Sequence, residues 1–317
     1  TLDRSSAASD VYKRQIYFKK MIQNIGFIDK NIKKDSLIVN PINKVSLEPI
    51  KESFEMGILE PLLIGNKDII AALLDDLNWH LQPEIINSST EEESSKIACR
   101  LASDRIEDPY LIVKGHLHTD VLMSEYIRSE YKLLVKGRRL SHIWFMTFPN
   151  DIRTPLIITD GALNINPNVE TKKHIINNVI EFTSKLPNFV PKIAILSATE
   201  EVLSQMQSSV DAKDLVDWSR IEHPTTDIQG PFAFDNAISS EAAKIKGIHN
   251  SVAGNANVIV VPNVETGNSL VKIMVNFMNC TAGGFVTGGI SPVVITSRSD
   301  TSNSRLSSIV NAVLSTL

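Results

Sequence analysis

Short runs of apolar, mostly β-branched residues alternate along this chain with stretches whose apolar positions recur every three or four residues. That alternation is the signature of βα units wound around a parallel sheet. Ser36–Asn40, Pro61–Ile64, Tyr110–Val113, Ile143–Phe148, Leu156–Thr159, Ile193–Leu196 and Val258–Val261 read as strands. Leu47 to Met56 carries helical spacing, as do Leu270, Ile273, Met274 and Phe277. Leu306, Ile309, Val310, Val313 and Leu314 mark a C-terminal amphipathic helix. Ser197-Ala198-Thr199-Glu200 follows a strand directly and fits a capping box, which predicts a helix opening there. Asn87–Ser95, Pro149–Thr154, Pro262–Asn268 and Ser297–Ser304 read as polar connections. The chain shows neither a Pro/Gly linker nor a fixed-period repeat, so a second domain, if there is one, is expected to be inserted in the first.

The strand ends carry the candidate chemistry. The run Val293-Val294-Ile295 gives way abruptly to Thr296, Ser297, Arg298 and Asp300. In open parallel sheets the carboxyl ends of the strands are where ligands bind, because both faces are covered by helices. Arg298 suits an anion, since a guanidinium donates paired hydrogen bonds to phosphate or carboxylate, and Asp300 can take a proton. An Arg–Asp salt bridge with no ligand is the plainer alternative. Lys114-Gly115-His116-Leu117-His118-Thr119-Asp120, Asp160-Gly161-Ala162-Leu163-Asn164 and Asn263-Val264-Glu265-Thr266-Gly267-Asn268 also follow strands. Each offers substrate contacts, or caps a helix and nothing more. Gly230-Pro231-Phe232-Ala233-Phe234-Asp235-Asn236 sets an acid and an amide beside an aromatic stretch in a turn-forming context. The His116-x-His118 pair invites a metal, but no third ligand stands at a recognisable spacing and no metal site is predicted. Gly283-Gly284 and Gly288-Gly289 point to tight backbone packing or an interface. No glycine-rich dinucleotide or nucleotide-phosphate motif is present.

Composition narrows the partners. The chain has 317 residues, 43% of them hydrophobic, which is enough for one large or two smaller α/β domains. With 32 basic against 36 acidic residues the net charge is -4, so nothing directs it to nucleic acid or an anionic membrane. Cys99 and Cys280 are its two cysteines, too few for a disulfide framework or thiolate zinc site. Without an apolar run of membrane-spanning length or a signal-peptide pattern, a cytoplasmic location is expected. Residues 1–15 include Asp10-Val11-Tyr12-Lys13-Arg14-Gln15, which resembles a translated sequencing adapter; they are set aside as a disordered, non-native tail.

Taken in order, several segments resemble the phosphate acetyltransferase/phosphate butyryltransferase family. They are Val45-Ser46-Leu47 to Pro61–Gly65, Lys114–Asp120, Ser141-His142, Ile158-Thr159-Asp160 with Asn164 and Pro167, Gly230–Ser239, Glu241-Ala242-Ala243, Val252–Ala256, Val260–Asn268 and Pro292–Asp300. The Gly230–Ser239 stretch is closest to the butyryl branch and to the transferase portion of hydratase–transferase fusions. The resemblance implies an isocitrate/isopropylmalate dehydrogenase-like α/β fold with two domains flanking a cleft. Domain one is then 16–138 with 285–317, and an inserted domain two is 139–284. It implies a homodimer and reversible transfer of a short acyl group, acetyl to butyryl, between acyl phosphate and coenzyme A, with CoA a substrate and no cofactor. Arg298 is expected to grip phosphate, Ser297 to donate to the oxyanion, and Asp300 to take the CoA proton. Substrate contacts are expected from Lys114, His118, Thr119, Asp120, Asp160, Asn164, Asp235, Asn236, Asn263, Glu265, Gly267 and Asn268. The sequence departs from acetyl-type members twice. Their acid lies further along, near Ser304, and an arginine three residues after the position of Asp120 is Met123 here, for which Arg128, Arg138 or Arg139 are candidate substitutes. A catalytically silent CoA or acyl-phosphate sensor on the same fold is the alternative, and a metal-dependent decarboxylating dehydrogenase a third reading.

Overall fold

The structure is a computed structural model and describes residues 33–81, 83–149, 154–296 and 300–317. The tail 1–15 and two of the expected catalytic residues, Ser297 and Arg298, lie outside the described residues. The strands are β1 (Lys34–Val39), β2 (Leu59–Gly65), β3 (Ile85–Asn87), β4 (Leu111–Lys114), β5 (Ser141–Thr147), β6 (Leu156–Thr159), β7 (Lys192–Leu196), β8 (Asp227–Phe232), β9 (Val258–Val260), β10 (Thr281–Thr287) and β11 (Val293–Val294). They form one sheet in the order β3-β2-β1-β4-β11-β10-β5-β6-β9-β7-β8.

The first five strands in that order run parallel, as do the last four. Between them β10 is antiparallel to both β11 and β5, and β5 is antiparallel to β6. The two parallel halves therefore point in opposite directions. Carboxyl ends of the first half share a sheet edge with the end of β5 and with the amino ends of the second half.

The helices are α1 (Lys44–Glu55), α2 (Lys67–Asp76), α3 (Glu91–Ser103), α4 (Thr119–Tyr126), α5 (Val169–Ser184), α6 (Gln207–Glu222), α7 (Phe234–Ile238), α8 (Ser240–Ile245), α9 (Val264–Met278) and α10 (Ser302–Leu314). Strand alternation sorts the core into layers. Ile38, Leu63, Val113, Phe145, Ile157, Ile195, Val260 and Phe285 face one side and join α1, α2, α5, α6 and α10 in a single cluster across both halves. On the other side the core is divided. Leu37, Val39, Ile64 and Ile112 pack with α3 and α4, while Met146, Ile158, Ala194 and Ile259 pack with α7, α8 and α9.

The expected strands all form, but three helices begin inside segments that read as polar connections. Thr90 caps α3, accepting from Glu93 N–H at 3.2 Å while the Glu93 carboxylate accepts from Ser89 N–H, so part of the acidic connection is a helix's first turn. Asn263 caps α9, accepting from Thr266 N–H at 3.0 Å, so Glu265, Gly267 and Asn268 are helical. Thr301 caps α10 through Ser304 N–H. Conversely, no helix opens at Ser197–Glu200. Glu200 accepts from Lys246 and Asn236, the Ser197 N–H that a capping box would offer it donates to Phe232 O at 2.7 Å, and α6 starts at Gln207. The glycine pair in β10 does serve tight packing: a Cβ on Gly284 would lie 2.6 Å from the His142 and Trp144 rings, and one on Gly283 2.4 Å from Ser307 Oγ.

Candidate active site

A pocket of roughly 170 Å³ opens at the carboxyl edge of the first half, lined by Asn43, Val45, Ser46, Lys114, Gly115, His116, Leu117, Thr296 and Arg305. Its floor is the turn after β4, stitched to the turn after β1. Gly115 N–H donates to Val39 O and His116 N–H to Asn40 O, both at 2.8 Å. Asn40 adopts φ 54°, and its side-chain amide donates to His116 O at 2.7 Å. The two turns pass so closely that a Cβ on Gly115 would meet Val39 O at 2.6 Å, which restricts the position to glycine.

Lys114 is buried in the wall, its ammonium donating to Leu117 O at 2.8 Å. Asn43 caps α1: its Oδ1 accepts from Ser46 N–H at 2.9 Å, which leaves its Nδ2 facing His116 Nδ1 at 2.8 Å. With the amide donating, Nδ1 must be the acceptor and the imidazole proton sits on Nε2. Arg305 lies on the inner face of α10, 7% exposed. Its Nη1 donates to Thr296 Oγ1 at 2.9 Å and its Nε to the Asp300 carbonyl at 3.3 Å. Burial lowers the Arg305 pKa, and the Asp300 carboxylate opposes that shift.

The residues expected from sequence are distributed between two regions. Lys114 and Asp300 belong to the pocket's surroundings, and His118, Thr119 and Asp120 begin α4 beside it, all three exposed. His118 N–H and Nδ1 both meet the Glu91 carboxylate, at 2.9 and 3.3 Å. Asp160, Asn164, Asn263, Glu265, Gly267 and Asn268 lie beyond the carboxyl ends of β6 and β9, at the opposite sheet edge. There the polar groups close on each other. Asp160, buried, accepts from Ala162 and Leu163 N–H and from Asn164 Nδ2 at 2.6 Å; burial raises its pKa, and those donors oppose the rise. Gly267 packs against Gly161, where a Cβ would lie 2.6 Å from its Cα. Asp235 and Asn236 open α7 in the crossing from β8 to β9. Asn236 Nδ2 donates to Glu200, and its carbonyl accepts from Gly254 N–H. That crossing returns to the pocket's edge. There Phe148, Pro155, Leu156, Ile238, Gly254, Asn255 and Ala256 help line a second hollow of roughly 230 Å³.

The comparisons with known proteins agree with this architecture. Residues 111–316 match the model of the Phosphate acetyl/butaryl transferase family. This chain belongs to that family. It is 36% identical over 282 residues to a phosphate acetyltransferase of Rhizobium meliloti, covering 88% of each chain. It is 34% identical over 270 residues to a phosphate butyryltransferase of Clostridium beijerinckii, covering 84% of this chain and 88% of that one. Overall likeness thus does not divide the acetyl from the butyryl branch. A branched-chain phosphotransacylase from Enterococcus faecalis V583 superposes with TM-score 0.75 at 28% identity, over 90% of this chain and 99% of that one.

Within this family member, sequence reasoning overlooked Asn43, Ser46 and Arg305, and named Thr296 and His116 in their strand-end segments without choosing them as site residues. Arg305 had a signal: it sits four residues before Ile309 and eight before Val313, on the apolar stripe of α10, where a cation is out of place. Asn43 had the ordinary mark of a helix start, but its second bond, to a histidine 73 residues away, had none. Among the described residues no group of three His, Cys, Asp or Glu side chains is placed to hold a metal ion. No described helix is long and apolar enough to cross a membrane.

Proposed function

We propose that the protein catalyses reversible acyl transfer, acyl phosphate plus CoA giving acyl-CoA plus phosphate, at the carboxyl edge of β4 and β11. The observation that carries this reading is a pocket lined by two basic side chains, Lys114 and Arg305, with hydroxyl, amide and imidazole groups and, among the described lining residues, no carboxylate, in a member of this family. A leaving phosphate needs its charge neutralised, and such a lining supplies that. Arg298 binds the phosphoryl group, Ser297 donates to the carbonyl oxyanion, and Asp300, whose carboxylate influences Arg305, receives the CoA proton. Lys114, His118, Thr119 and Asp120 complete the substrate contacts from β4 and α4.

CoA itself is placed along the same edge, with its extended arm reaching toward the second hollow. β11 and β6 are three strand spacings apart, about 14 Å, a span that calls for an extended ligand. The acyl group is short, acetyl to butyryl, and no cofactor is assigned. The fold is read as isocitrate dehydrogenase-like with two lobes, 16–138 with 285–317 and 139–284, in keeping with the divided core on one sheet face. The enzyme is placed in the cytoplasm as a homodimer. The exposed Ile273, Phe277 and Met278 of α9 offer an apolar face for a second copy.

The test is release of CoA thiol from acetyl-, propionyl- and butyryl-CoA, with and without phosphate, by wild type and Arg298→Ala. Phosphate-dependent release that the variant loses supports the proposal. Folded wild type that binds CoA and releases none from any of the three overturns it in favour of a sensor.

A further inference from the structure

We propose that Arg305 and His116 form the subsite for the reacting phosphoryl group, with Arg305 supplying the cation that Met123 does not. This rests on the transacylase reading and goes beyond it in adding two side chains to the phosphate contact proposed there for Arg298. Met123 is buried in an apolar cluster with Leu122 and Tyr126, so no charge enters from that position. Of the other candidate replacements, Arg128 pairs with Glu125 and Glu130. Arg138 pairs with Glu181 and bonds Asn178. Arg138 and Arg139 also precede β5, at the sheet edge away from the pocket. Arg305 lines the pocket itself.

Two features make the pair an anion site and not merely a polar wall. The Arg305 guanidinium is held by Thr296 and the Asp300 carbonyl, so its planar fork has a fixed orientation before any ligand arrives. The Asn43 amide fixes the tautomer of His116, so that the group presented from Nε2 is an N–H donor. The Lys114 ammonium, bonded to Leu117 O behind them, adds positive charge to the wall without needing to move. At roughly 170 Å³ the pocket has room for a phosphoryl group with a short substituent. It lies well below the ~300 Å³ at which sites for larger ligands begin.

A phosphoryl group could come from acyl phosphate or from CoA, so the experiment separates the sources. Binding of inorganic phosphate to the full chain is followed by ³¹P NMR, and phosphate-dependent thiol release is measured with acyl-CoA and with its 3′-dephospho form. Wild type, Arg305→Gln and His116→Ala are compared; His116 is exposed, so its variant keeps the fold if the buried arginine's does not. Expected is a rise of about tenfold or more in phosphate Kd and KM for Arg305→Gln, the effect of losing one charge-assisted hydrogen bond. A smaller rise is expected for His116→Ala, with KM for acyl-CoA and the preference over its dephospho form unchanged. A fall in kcat at unchanged phosphate KM would show that Arg305 only positions Thr296 and Asp300, and overturns the proposal. Loss of the preference for the 3′-phosphate would give the pocket to CoA and overturns it too. Wild type that binds phosphate, with binding lost in the variants but no acyl-CoA cleaved, fails the transacylase reading and leaves this subsite standing.

Discussion

The turn after β4 and the turn after β6 look alike as sequence: each follows a buried strand, contains a glycine that allows close backbone approach, and carries polar side chains. Their hydrogen bonds differ. After β6 the Asp160 carboxylate takes the amides of its own turn and the Asn164 side chain, and the loop closes on itself. After β4 the stitching is done by backbone groups and by Asn40 from a neighbouring strand, and His116, Lys114 and a distant Arg305 border a pocket. A polar strand end becomes a site when its neighbours leave a cavity there, and a buckle when its own backbone satisfies it.

The strongest way to break that contrast is Asp160→Ala. Removing a buried acceptor of several bonds is expected to cost about 3 kcal/mol in chemical denaturation, with KM for phosphate and CoA unchanged in the folded fraction. A tenfold rise in either KM at unchanged stability would make the β6 turn a substrate contact. A second measurement concerns β5, which joins the two halves. Burial pushes the His142 imidazole down to about 3. The unfolded chain takes that proton near 6.5 and the folded chain does not, so stability is present above that value and lost as pH falls toward 3. The slope is expected to reach about 1.4 kcal/mol per pH unit. His142→Gln should flatten that slope relative to wild type when unfolding is followed from pH 7 to 4.

Asn43 and Asn263 sharpen the comparison further, because both cap helices through like bonds to the third residue on. Alanine at either should cost about 1 kcal/mol. Asn43→Ala alone is expected to raise phosphate KM as well, since it also releases His116; equal kinetics for the two variants would remove His116 from the site. The smallest effects are expected at exposed positions. Asp235→Ala and Asn268→Ala should shift the unfolding midpoint by less than about 0.5 kcal/mol equivalent, so any loss of kcat/KM in them reports a substrate contact directly.

Much of the fold was legible because it rests on local periodicity. β-branched runs became strands, and the apolar spacing of Leu306 to Leu314 became α10. Helix starts were less legible at Asn87–Ser95 and Pro262–Asn268, since a cap and a polar first turn carry no apolar period and look like a loop. The capping-box pattern at Ser197–Glu200 misled for the converse reason: a long-range partner, Lys246, holds the glutamate that a helix start would have used. Of the candidate site, Lys114 and Asp300 were visible as polar residues at strand ends. Arg305 and Asn43 were not, because each acts through contacts with elements far away in the chain.

The sequence by itself determined the alternating α/β pattern, the family to which the chain belongs and which polar residues stand at the strand ends, since these depend on residue types in order. The tertiary structure alone decided that the two parallel halves point in opposite directions. Strand pairing across β10 and β5 is a non-local choice that no periodicity records, and it sends the turns of β4 and β6 to opposite sheet edges. It likewise decided that Arg305 lines the pocket: the residue arrives there because α10 packs its apolar stripe against the sheet and carries the guanidinium in with it.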